Sequence, residues 1–212
     1  MAAGCGTSTG GAPDAPPVPD DGQASDRAPD DIDAVGPTCS ETIGDLGAPL
    51  EVRPVYVDHR SETHAIDADG AVELLLPPQG GHVLMVGLEA RNVRGCTAQL
   101  DGKLFDPGTG TLLAEDVRPT QLLAGADGWG QLASPPVATS ANLAVCPLPM
   151  LPRDVDGNAW RLELTITDDR DATATWSGTI VPFCRPDAPD PDECPCQCDA
   201  DFMFGQPCPV DP

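Results

Sequence analysis

The chain has 212 residues, with 34 acidic against 11 basic groups and a formal net charge of −23. A single lysine, Lys103, and so strong an acidic excess exclude a nucleic-acid binder built on clustered Lys and Arg, and they oppose adsorption to anionic lipid. The length suits one domain with appendages, nine cysteines point to disulfides in an exported protein, and no apolar run is long enough to span a bilayer.

Met1-Ala2-Ala3-Gly4-Cys5 places a cysteine after small residues. Residues 6–37 then combine Gly, Pro, Ala, Ser and Thr with Asp14, Asp20, Asp21, Asp26, Asp30, Asp31, Asp33 and Arg27, and with almost no large apolar side chain. Such a stretch cannot bury enough surface to offset its ordering entropy, so a disordered acidic tether is expected. As a coil its ends lie on the order of 30 Å apart, further with self-repulsion. Cysteine and tether together resemble the start of a bacterial lipoprotein. The resemblance implies acylation at Cys5 with several chains, which anchor stably where one chain binds marginally. Gly6 in place of Asp implies the outer membrane. No charged or apolar signal region stands before Cys5, so a signal peptide is expected upstream of Met1.

Residues 38–186 read as a β domain. Segments near Val52–Val57 and Ala71–Leu76 are the first strand candidates. Val83–Asn92 is apolar enough for a central strand, with Leu84, Val86, Leu88 and Ala90 on one face. From Cys96 to Phe105 the chain alternates, with Cys96, Ala98, Leu100 and Leu104 inward. Asp106-Pro107-Gly108 suits a tight turn, and Thr111–Ala114 a short strand. Trp160, Leu162, Leu164 and Ile166 face one way while Arg161, Glu163, Thr165 and Thr167 face the other, giving a strand with one dry face. Asp168-Asp169-Arg170-Asp171 is a polar turn, and Thr173–Phe183 returns as the hairpin partner. Short strands at near-regular spacing, with no strongly helical segment, predict an all-β antiparallel sandwich. The run from Trp160 through the Asp-rich turn to Ile180 is similar to the last two strands of bacterial immunoglobulin-like and PKD-like domains. With the two ends of the chain, it resembles surface lipoproteins of high-GC Gram-negative bacteria. That likeness implies an immunoglobulin-like fold and an envelope location, and no activity.

Residues 187–212 form a Pro- and Cys-rich tail that needs cross-links or docking to stay ordered. Cys194, Cys196, Cys198 and Cys208 have four thiols, but Cys-x-Cys-x-Cys departs from the pair spacing of structural zinc. Disulfides are expected instead, the tail cysteines pairing among themselves or with Cys39, Cys96, Cys146 and Cys184. A Cys146–Cys184 bridge is the pairing singled out, Cys146 lying in a Pro-rich connection and Cys184 at the end of the last strand.

Other polar groupings read as structure. Asp154-Val155-Asp156-Gly157-Asn158 starts like a calcium loop, but Thr165 stands where a bidentate Glu is needed, and Asp67-Ala68-Asp69-Gly70 is equally short. Both read as turns. His59 and His64, with Asp58, Ser61 and Glu62, form a polar loop with no nucleophile–base geometry indicated. His82 opens a strand with no partner suggested. Trp129, flanked by glycines, is expected at the core edge in preference to exposed glycan stacking. No catalytic residue, cofactor or metal follows. The sequence predicts a lipid-anchored envelope protein with a β-sandwich interaction or structural module, bound to the membrane and to an unspecified protein or glycan ligand. The alternatives are a secreted or periplasmic carbohydrate-binding domain or enzyme, and a calcium-stabilised adhesion module.

Overall fold

The structure is a computed structural model that describes residues 39–208 apart from Asp69 and Met150. Its elements are twelve strands and two short helical turns. The strands are β1 (Thr42–Ile43), β2 (Glu51–Val57), β3 (Thr63–Ala65), β4 (Ala71–Glu73), β5 (His82–Arg91), β6 (Val93–Arg94), β7 (Thr97–Phe105), β8 (Leu112–Ala124), β9 (Gly130–Leu132), β10 (Ala141–Cys146), β11 (Trp160–Thr167) and β12 (Thr173–Phe183). A 3-10 turn spans Pro136–Ala138 and helix α1 spans Glu193–Gln197. The fold is mostly β and sandwich-like, compatible with an immunoglobulin-like domain.

Ten strands form one hydrogen-bonded path, β3-β2-β5-β9-β8-β7-β11-β12-β4, with β10 added to β5. The path folds over at β8, which pairs with β7 as far as Gln121 and with β9 from Leu122 onward. One layer is therefore β3-β2-β5-β10, and the other is β8-β7-β11-β12-β4. The ladders are antiparallel except at the margin, where β4 runs parallel to β12 and pairs Glu73 with Phe183. β1 and β6 make a separate two-stranded ribbon.

Alternation puts the core where period two predicts it. Leu84, Val86, Leu88 and Ala90 of β5 face Leu100 and Leu104 of β7 and Leu162, Leu164 and Ile166 of β11 across the sandwich, all fully buried or nearly so. Trp160 is fully buried, its indole N–H donating to Val155 O at 3.2 Å. Gly102 takes an inward register between Leu100 and Leu104. A Cβ there would sit 2.9 Å from Ala141 Cβ, so glycine is what lets β7 and β10 approach. Gly102→Val is expected to cost about 1–3 kcal/mol through overpacking, read as a lowered urea midpoint at unchanged slope.

Three strands depart from the sequence-level reading. β8 runs on to Ala124 instead of ending at Ala114, because Pro119, which lacks an amide N–H, sits on a stretch paired only with β7. The segment read as a Pro-rich connection holds β10, which ends at Cys146 and pairs with β5. The polar loop at residues 58–64 closes into a hairpin whose second strand is β3. In the tail, one helical turn forms although nothing in its composition favours it. Residues in and beside it carry three disulfides that substitute for intrinsic helix stability.

Candidate functional site

All eight cysteines among the described residues are joined, as Cys39–Cys96, Cys146–Cys198, Cys184–Cys194 and Cys196–Cys208. The expected Cys146–Cys184 bridge is corrected: β10 delivers Cys146 to Cys198, with Cα atoms 4.9 Å apart, and Cys184 closes the short loop to Cys194. Sequence reasoning missed this because Cys194 and Cys198 reach their partners through the turn α1, and nothing in the tail's composition signals a helix there. Cys5 lies outside the described residues.

The calcium-like run is a clasp for the tail. Asp154 Oδ1 accepts from Ala200 N at 3.0 Å, Asp156 Oδ1 accepts from Cys184 N at 2.7 Å, and Val155 N donates to Cys198 O at 2.9 Å. In the other Asp-rich run, Asp69 lies outside the described residues. Trp129 is 5% exposed and covered by the Arg53 guanidinium, 3.7 Å from its ring centre, so its face is not free to stack on a sugar.

A cluster of imidazoles and carboxylates gathers at the β2–β3 hairpin, where sequence reasoning placed only a polar loop. β2 ends at Val57, and the turn Asp58–Glu62 is closed by Asp58 N donating to Glu62 O and Ser61 N donating to Asp58 O, both at 3.0 Å. Ser61 takes a left-handed φ of 63° to make the turn. Asp58 Oδ1 accepts from Arg60 N at 2.9 Å and Glu62 N at 2.8 Å, and Oδ2 is 3.0 Å from His64 Nε2. Burial raises the Asp58 pKa, but these bonds outweigh it and hold the group below its ordinary value. His64 stacks on Tyr56 across the hairpin, ring centres 5.2 Å apart. Burial, then Glu73 and Asp58, push the Tyr56 phenol upward.

The missing member was Glu73. It ends β4, its side chain is 8% exposed, and His59 Nδ1 lies 2.9 Å from Oε1 and 3.2 Å from Oε2. A carboxylate inside the apolar run Ala71–Leu76 was the available signal, since Glu is almost never buried unpaired. His59 and Glu73 line a cavity of about 270 Å³ together with Leu76, His82, Arg185 and Glu193. Burial lowers the His82 pKa, against Glu193 and Gln197, which raise it.

Two sets of metal-type donors meet here, Asp58–His59–Glu73 and Asp58–Glu62–His64. A third, His82 with Cys194 and Cys198, has both sulfurs spent in disulfides and offers no thiolate. Among the described residues the His59 and His64 imidazoles bond Glu73 and Asp58, and not the Ser61 hydroxyl. No helix among the described residues is long and apolar enough to cross a membrane. The sequence matches no protein-family model, and no curated protein matches it.

Proposed function

We propose that the chain is an exported cell-envelope protein, tethered through acylated Cys5, whose disulfide-stapled β-sandwich acts as an interaction module. One observation supports this reading above the others. Eight cysteines are consumed in four disulfides, which leaves one of the nine, Cys5, as the odd sulfur, and it follows Ala-Ala-Gly at the head of an acidic Pro/Gly stretch. Disulfides persist in oxidising compartments and are rare in a reduced cytosol. A leftover cysteine in an exported chain pairs with another chain, stays a free thiol or carries a modification, and the small residues before Cys5 and the tether after it favour the last. A domain whose tail is cross-linked at three places suits an oxidising setting.

Intact-mass measurement on protein from native cells tests the proposal. The expected result is an acylated Cys5 with no free thiol, and membrane association that Cys5→Ser abolishes. A cytosolic protein with free thiols in place of the disulfides and no acyl adduct would overturn it.

A further inference from the structure

The donors at the β2–β3 hairpin have the spacing of ligands around an ion. His59 Nδ1 stands 2.9 and 3.2 Å from the two Glu73 oxygens. Donors so placed subtend about 90–100° at an ion held ~2.1 Å from each, a little below the tetrahedral angle, so an ion need only open the pair slightly. Asp58 supplies a third donor, all three ligand atoms lying within 4.8 Å of one another. A carboxylate has about four acceptor sites. Asp58 uses one each for Arg60 N, Glu62 N and His64 Nε2, which fix its orientation and leave one site open.

Glu73 is the more demanding group. Its charge is nearly buried, and among the described residues His59 is its single hydrogen-bond partner. A buried carboxylate so thinly compensated is costly, and a cation between it and Asp58 would offset that cost. A second observation comes from the same cavity. His82, 4% exposed, lines it, its Nδ1 meeting no partner at full hydrogen-bond geometry, although the Gln197 side chain lies near enough to raise its pKa through a weaker one. Buried polar atoms are normally satisfied by protein, water or an ion, so this wall of the cavity has capacity for a polar occupant.

We propose that Asp58, His59 and Glu73 bind a divalent first-row transition ion, with the remaining coordination positions open to the cavity. One imidazole with two carboxylates suits such an ion. Calcium and magnesium favour all-oxygen sets. His64 is a positioning residue that orients Asp58 from behind, as outer partners of metal ligands do.

The test uses the full chain carrying Cys5→Ser, so that the ninth sulfur cannot take the ion. Calorimetric titration with zinc in a non-coordinating buffer is expected to give one ion per chain, with calcium and magnesium at least about tenfold weaker. His59→Ala, in a hairpin turn where the side chain is a third exposed, and Glu73→Gln, which keeps the buried volume, are each expected to weaken zinc by at least about tenfold. His59→Ala alone decides the matter should Glu73→Gln fail to fold by circular dichroism. Cobalt in place of zinc should give a visible ligand-field band that His59→Ala abolishes. Zinc uptake that is absent, or that His59→Ala leaves unchanged, would overturn the proposal. So would uptake lost in Glu62→Gln and kept in His59→Ala, which would move the ion to Asp58–Glu62–His64.

Discussion

Replacing Cys146 and Cys198 together by alanine is expected to lower the unfolding free energy by about 4 kcal/mol. The bond closes a loop with a sequence separation of 52 and ties the end of β10 to the residue that caps α1. In the chain-entropy description the stabilisation grows with the logarithm of loop length. Cys184–Cys194, with a separation of 10, should then contribute only about 3 kcal/mol. Cys198 is also fully buried against the core, so the double substitution removes packing as well as a constraint. Urea denaturation of the two paired variants reads the ordering directly. Equal losses, or a loss below about 1 kcal/mol for Cys146 with Cys198, would show that the tail is held by something other than its sulfur.

Asp168→Ala is expected to cost about 3–5 kcal/mol, although the residue sits in what reads as a polar turn. Its side chain is fully buried and accepts from Arg94 N, Arg170 N, Ala172 N and Arg170 Nε at 2.8–3.1 Å. The Arg170 guanidinium so held reaches on to Leu46 O at 3.0 Å and Asn92 O at 2.8 Å. One carboxylate therefore joins the β11–β12 hairpin to β6 and to the loop before β2, and removing it leaves a half-buried guanidinium and several amides without their acceptor.

The same group gives the protein an acid limit. Burial raises the Asp168 pKa, but hydrogen bonds from Arg94 N, Arg170 and Ala172 N lower it further, leaving it below the ordinary 3.8. A depressed folded pKa means the stabilisation is complete above that ordinary value and is lost as pH falls toward the folded one. Melting temperatures measured downward from about pH 4 should fall more steeply for the parent chain than for Asp168→Asn, which has no such proton to take up. Parallel curves would show that Asp168 does not carry the acid sensitivity.

Much of this architecture was legible because period two is a local signal. In β11, Trp160, Leu162, Leu164 and Ile166 alternate with polar residues, and the alternation assigns strand and inner face, while the polar turn that follows points to the hairpin partner. The site was not legible for the converse reason. His59 is 14 residues from Glu73, and nothing in either segment states that β4 will lie beside the β2–β3 hairpin. The Asp168 network was equally hidden: its partners at Arg94, Asn92 and Leu46 are distant in the chain, so a run of charged residues looked like solvent-facing turn chemistry.

Composition and alternation by themselves determined an acidic, cysteine-rich, mostly β chain with its core on the inner faces of β5, β7 and β11. These properties depend on each residue's own burial preference and on its neighbours one or two places away. Which cysteine meets which, how β8 passes from one layer to the other, and which carboxylates end up buried beside an imidazole were decided only by tertiary structure. Those outcomes depend on contacts between distant segments, whose geometry is set when the two layers close over a shared apolar interior.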